Sequence, residues 1–133
     1  MIELATQQKL IAAALAARQQ AYAPYSKFLV GAGVLAEDGT IVGGANVENA
    51  SYGLTICAER VAVTAAVAAG HRKILAVAVA TSGGASPCGA CRQVLAEFGG
   101  SMDVVLVDSD RPDSVRSLSL AELLPEQFQL DED

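Results

Sequence analysis

The chain has 133 residues and a net charge of −6, with only 9 Lys or Arg against 15 Asp or Glu. One domain of ordinary size fits that length, and the charge leaves no basic stripe for gripping phosphates, so no nucleic-acid partner is expected. Hydrophobic residues make up 52%, yet charged residues, Gly or Pro interrupt the sequence too often for a span of about 20 apolar residues, so no membrane partner is expected either.

The surplus apolar surface reads as a core plus a subunit interface. Three cysteines is an odd count where a disulfide scaffold wants an even set. No leader pattern opens the chain. The expected location is the reduced cytoplasm, where cysteines ligate metals or do chemistry.

In chain order, residues 6–22 read as an amphipathic helix with Thr6 as N-cap and Leu10, Ile11, Ala14 and Leu15 on one face. Pro24 ends it, because the residue before a proline avoids the helical region. Residues 28–35 read as a strand, Glu37-Asp38-Gly39-Thr40 as a hairpin turn, and 41–47 as the returning strand. Residues 58–69 read as a helix that stops at Gly70. Residues 74–81 alternate alanine with larger apolar residues, as a buried strand does. After a short Gly-rich loop, Ser86 reads as an N-cap and Pro87 as the first residue of a helix running to Phe98. A short buried strand follows at 104–107, then a polar loop at 108–113, a weak strand near 115–118 and a last helix at 120–124. The order α-β-β-α-β-α-β-β-α predicts a single α/β domain over 1–133. It has a central mixed sheet of about five strands covered by helices and an acidic tail near 129–133.

The cysteines are Cys57, Cys88 and Cys91. Cys88 and Cys91 stand three apart at a predicted helix start, on one helical face. Cys57 opens another helix. Helix N-termini lower thiol pKa and favour the thiolate a metal needs. Taken alone, the C-x-x-C pair also fits two buried small hydrophobes. Cys57-Ala58-Glu59 adds a third thiol and a carboxylate. The only histidine, His71, falls 14 residues beyond Cys57, about 21 Å along a helix, and reads as a surface residue. Three thiolates make a soft site suited to one zinc ion, with a fourth position left open for water as in catalytic sites. On a regular helix Cys57 and Glu59 would diverge by about 200°; they converge only where the chain is entering the helix. Glu59 is then the general acid/base candidate.

Cys57-Ala58-Glu59-Arg60, followed by Ser86-Pro87-Cys88-Gly89-Ala90-Cys91-Arg92-Gln93, resembles the cytidine deaminases of the small homotetrameric type. The resemblance continues in Tyr22-Ala23-Pro24-Tyr25-Ser26-Lys27-Phe28, in Val30-Gly31-Ala32, in Gly44 to Gly53 around Asn46-Val47-Glu48, and in Leu123-Leu124-Pro125 with Phe128. The stretch from Thr81 to Pro87 looks shorter than the family often has.

The resemblance implies hydrolysis of cytidine and deoxycytidine to the uridine products, in pyrimidine salvage. It implies one Zn2+ per subunit on Cys57, Cys88 and Cys91, with Glu59 moving protons. Arg60, which by itself could be an ordinary surface helix residue, would donate hydrogen bonds to cysteine sulfur. Asn46 and Glu48 alternate as if on one strand; that pattern alone is an ordinary strand end, but within the family it reads as a ribose clamp, with Val47 between them among the substrate contacts. Phe28, alone a plain core residue, would lie against the pyrimidine. Ala50, Tyr52 and Phe128 would reach a neighbouring subunit's site in a homotetramer. A blasticidin-type antibiotic deaminase and a non-catalytic zinc module are the alternatives. The intact Asn46–Tyr52 run argues against the first, and Glu59 with no fourth protein ligand argues against the second.

Overall fold

The computed structural model describes residues 2–130, so Asp131-Glu132-Asp133 of the expected acidic tail lie outside the described residues. A five-stranded mixed sheet runs through the molecule in the order β2-β1-β3-β4-β5. The strands are β1 Gly31–Ala36, β2 Ile41–Ala45, β3 Ile74–Thr81, β4 Asp103–Asp108 and β5 Arg111–Ser119. The helices are α1 Leu4–Arg18, α2 Ala58–Ala68, α3 Gly89–Gly99 and α4 Leu120–Leu123. β3 and β4 are parallel, joined by the α3 crossover; all other neighbours are antiparallel.

The central strand β3 explains the layering. Its Ala76, Ala78 and Ala80 face one side, where α1 buries Leu10 and Ala14. Its Val77 and Val79 face the other, where α2 and α3 bury Ala58, Ala62, Val63, Ala66 and Leu95. Small residues on the first face let α1 approach closely, and branched ones fill the wider gap under α2 and α3. Because both faces are covered, β3 and β4 read as apolar runs in sequence. The two helices that start with the cysteines therefore lie side by side on one face of the sheet.

Several boundaries differ from the sequence reading. α1 begins at Leu4 with Glu3 as N-cap, leaving Thr6 inside the first turn. It ends at Arg18 rather than Tyr22, because Tyr22 pairs instead with Val47 as an isolated bridge and its N–H donates to Asn46 O at 2.9 Å. β1 starts at Gly31, not Phe28. The Asn46 side chain takes the place of a ladder there, accepting from Val30 N and donating to Phe28 O, each at 2.9 Å. β2 ends at Ala45, so Asn46 and Glu48 lie beyond the strand rather than on it. α3 is capped by Cys88, whose sulfur accepts from Cys91 N at 3.4 Å; Ser86 and Pro87 precede the helix. The expected polar loop at 108–113 shrinks to a tight turn, and β5 is nine residues long. A short 3-10 helix at Tyr52–Leu54 had no clear sequence signal.

Candidate active site

The local backbone brings the metal candidates together. Cys57 is the N-cap of α2, with φ −69° and ψ 151°. Cys88 is the N-cap of α3, with φ −66° and ψ 168°. With Cys57 extended at the cap rather than inside the helix, Cys57 and Glu59 both line one cavity despite their spacing. The three Sγ atoms lie within 4.8 Å of one another. A tetrahedral zinc ion with Zn–S bonds of about 2.3 Å needs S···S edges of about 3.8 Å, so the donor set fits one Zn2+ with small adjustment. Cys91 is buried, Cys57 half-buried and Cys88 exposed.

Charge in the cluster is divided. Burial raises the Cys88 thiol, but the Cys91 and Ala90 N–H groups and the neighbouring thiols outweigh it and hold it below its ordinary value. Burial pushes the Cys91 thiol far up, and the adjacent Glu59 carboxylate adds to that. A bound cation removes both penalties, since a coordinating thiol is deprotonated outright. Arg60 sits on the next position of the same helix turn and donates from Nη2 to Cys57 Sγ at 3.4 Å. That hydrogen bond is the chief reason its guanidinium is held above its ordinary pKa.

Glu59 is only 5% exposed. Burial raises its carboxyl, opposed by its own backbone N–H, by Arg60 and by contact with Cys91. A buried carboxyl with a raised pKa is a stronger base than an exposed one and can hand the proton on again.

A cavity of about 220 Å³ opens beside this cluster, lined by Phe28, Asn46, Glu48, Cys57 and Glu59 among others; Cys88 and Cys91 do not line it. Glu48 is shaped by the 25–28 loop: Oε1 accepts from Tyr25 N at 3.0 Å and Ser26 N at 3.1 Å, and Oε2 accepts from the Ser26 hydroxyl. The Ser26 bond is the main reason that the Glu48 carboxyl lies below its ordinary range. Ser26 Oγ also accepts from Phe28 N at 3.0 Å, and Lys27 between them is left-handed with φ 62°. A non-glycine residue in that region costs about 1–3 kcal/mol and persists only where its neighbours impose it. A second cavity, about 360 Å³, adjoins the first through Ser26, Glu48 and Thr55 and is walled by Tyr25 and Tyr52. Those two rings meet edge to face, 6.2 Å apart.

The short loop before Pro87 closes compactly. Thr81 Oγ1 accepts from Ala85 N at 2.7 Å, Thr81 O from Gly84 N at 3.2 Å, and Gly83 and Gly84 supply positive φ of 88° and 70°. Val47, Ala50 and Phe128 line neither cavity. Tyr52 and Phe128 are 76% and 69% exposed. His71 lies past the far end of α2, 3.8 Å from Asp38 and away from the cluster. Sequence reasoning assigned no role to Ser26, Lys27, Thr81 or Arg92. Ser26 and Arg92 stood within the quoted motifs, but what they hold becomes visible only in three dimensions.

A family model described as the cytidine and deoxycytidylate deaminase zinc-binding region matches residues 4–107. The chain is 54% identical over 124 residues to a cytidine deaminase of Sporosarcina psychrophila, covering 91% of this chain and 90% of that one. It is 49% identical over 114 residues to a cytidine deaminase of Mycobacterium tuberculosis, covering 84% and 81%. The crystal structure of cytidine deaminase from Burkholderia pseudomallei superposes with a TM-score of 0.85 at 50% identity, over 91% of this chain and 98% of the other. With the three-thiol cluster inside the matched region and the fold shared over nearly the whole length, the chain belongs to the zinc-binding cytidine and deoxycytidylate deaminase family.

Proposed function

We propose that this protein hydrolyses cytidine and 2′-deoxycytidine to uridine and 2′-deoxyuridine with release of ammonia. The observation that carries the reading is a buried carboxylate, Glu59, in contact with a three-thiol metal site, with Glu59 and Cys57 both lining an open cavity. Cys57, Cys88 and Cys91 would hold a zinc ion, which when bound would supply the Lewis acidity that lets water ionise near neutral pH. Glu59 takes the proton from the attacking water and delivers it to ring N3, which makes C4 electrophilic. A C4–O bond forms, Glu59 carries a second proton from the new C4 hydroxyl to the exocyclic amine, and the C4–N bond breaks as C4=O forms and ammonia leaves. Three thiolates around a dication leave a net charge of −1, and Arg60 offsets it by its hydrogen bond to Cys57.

Phe28 offers its ring to the pyrimidine face, and Glu48 accepts from a sugar hydroxyl at the one Oε2 lone pair that the 25–26 loop leaves free. Asn46 uses one N–H and one lone pair on the Phe28–Val30 backbone, which leaves its second N–H to help hold the same hydroxyl, with Val47 flanking it. The relatives above are cytidine deaminases, which favours a plain nucleoside over an antibiotic substrate. Contact between Glu59 and the cluster favours an enzyme over an inert zinc module.

The assembly in this reading is a homotetramer with shared sites. Exposure of Ala50 and Tyr52 in one segment with exposed apolar Val47, Leu54 and Ile56, and exposure of Phe128, support it. The setting is pyrimidine salvage in the cytoplasm; among the described residues no helix is long and apolar enough to cross a membrane. The test is the ultraviolet absorbance of cytidine mixed with zinc-replete protein, which is expected to shift to that of uridine with ammonia released. A flat trace refutes the activity. Light scattering is expected to give four chains; a monomeric mass with full activity refutes the shared site.

A further inference from the structure

We propose that Arg92 is a positioning residue for this reaction, one side chain that sets both the loop delivering Cys88 and the C-terminal segment carrying Phe128. The proposal rests on the deaminase reading above. Arg92 lies in the first turn of α3 and sends its guanidinium three ways. Nε donates to Pro87 O at 2.8 Å, Nη2 to Ser86 Oγ at 3.1 Å and Nη1 to Leu123 O at 2.8 Å.

The first two acceptors belong to the residues just before Cys88. Pro87 is fully buried and Ser86 lines the cavity. The approach of the chain to the metal cluster is thus tied to the helix bearing Cys91. The third acceptor is one of the carbonyls at the end of α4 that no helical N–H reaches. α4 is a single turn, with a capping box of Ser119 and Glu122 at its start. A helix so short does not persist alone, and Arg92 closes its far end.

From that point the chain bends sharply. Leu124 leaves the helical region, with φ −140° and ψ 75°, and Glu126 is left-handed with φ 51°. The segment is then pinned back onto α3: Gln127 Nε2 donates to Gly100 O at 2.7 Å and Gln93 Nε2 to Phe128 O at 3.4 Å. Its direction of exit, and so where Phe128 is presented, starts from the carbonyl that Arg92 holds. Three acceptors met at once by Nε, Nη1 and Nη2 need a rigid fork of donors. Lysine keeps the charge and most of the length but not the fork.

The experiment compares Arg92→Lys and Arg92→Gln with the wild type, each alone and with Phe128→Ala. All assays run well below the unfolding transition and are expressed per folded, zinc-loaded subunit. Two readouts are taken: kcat for cytidine, and the rate of zinc transfer to a chromogenic chelator. Arg92→Lys is expected to lower kcat about 10- to 100-fold, as misplacement of about 1 Å does, and to speed zinc transfer about tenfold, as loss of support around a metal ligand does. The penalty of Phe128→Ala is expected to shrink in the Arg92→Lys background, because the segment is already misdirected. Wild-type zinc transfer in Arg92→Lys overturns the proposal, and so do penalties that simply multiply. A fall in denaturation midpoint alone, with both readouts unchanged, assigns Arg92 to the fold only and overturns it as well. If Arg92→Gln does not fold, Arg92→Lys carries the test. If the wild type does not turn over cytidine, the deaminase reading fails, while the zinc-transfer rates still decide whether Arg92 sets the Cys88 loop.

Discussion

Gly44 offers the sharpest test of how the sheet positions the metal site. It lies buried in β2, opposite Ala32 of β1, under the first turns of α2. A Cβ added there would stand 2.4 Å from Ala62 N, 2.9 Å from Ala58 O and 2.9 Å from Ala62 Cα. All three are backbone atoms of α2, so no side-chain rotation relieves the clash. Ordinary contact begins at 3.4 Å, so the helix must retreat by 3.4 − 2.4, or about 1.0 Å. Overpacking of this kind costs about 1–3 kcal/mol, offset by about 0.4–1 kcal/mol from the stiffer unfolded chain. Ala58 stands between Cys57 and Glu59, so the same retreat displaces a metal ligand and the proton carrier. A displacement near 1 Å costs about 10²-fold in turnover. Gly43→Ala is the control: the same strand and chemistry, but the nearest atom is the Ala17 side chain at 3.4 Å. The assays are urea denaturation, zinc content and kcat on cytidine for both variants. Gly44→Ala is expected to lose stability and turnover together, and Gly43→Ala to stay within about 0.5 kcal/mol of wild type. Wild-type stability and kcat in Gly44→Ala, or equal losses in both variants, would refute the close-approach argument.

Other outcomes follow from the site. Glu59→Gln is expected to keep zinc and fold while losing at least about 10²–10⁴-fold in kcat; near-normal turnover removes Glu59 from the proton transfers. Prolonged treatment with a strong chelator is expected to abolish activity and zinc to restore it, while Cys91→Ala protein is expected to bind no stoichiometric zinc; full activity in zinc-free protein refutes the metal site. Glu48→Ala is expected to impair cytidine and deoxycytidine together; unchanged kinetics on both shows that it is not the clamp. Because its hydrogen bond from Ser26 lowers the Glu48 carboxyl, the loop contacts stabilise fully above the ordinary glutamate pKa and are lost as pH falls through the lowered folded value. An NMR titration is expected to place Glu48 below a free glutamate, and Ser26→Ala to move it upward. Identical midpoints in the two proteins contradict that cause.

Much of the fold was legible because the pattern of β3 is local: alanines and valines on alternating faces are what a strand covered on both sides requires. The helix start at Cys57 was legible for a similar reason, since cap and first turn are set by a few consecutive residues, whereas α3 was read as starting at Ser86, two residues before its Cys88 cap. Boundaries were misread where distant groups compete for the backbone. Tyr22 leaves α1 to pair with Val47, and Phe28–Val30 leave β1 because Asn46, 16 to 18 residues away, takes their hydrogen bonds.

The sequence by itself determined the element order, the thiol donor set with Glu59 beside it, and the net negative charge, because these depend on residue type and short-range spacing. Only the tertiary structure decided that the sulfurs converge within 4.8 Å, that Glu59 is buried against them, and that Glu48 and Ser26 lock the left-handed turn at Lys27. It also decided that Arg92 spans from the Cys88 loop to α4. Each of these joins residues far apart in the chain, and where such partners meet is set by how closely the helices pack on the sheet, which no local pattern encodes.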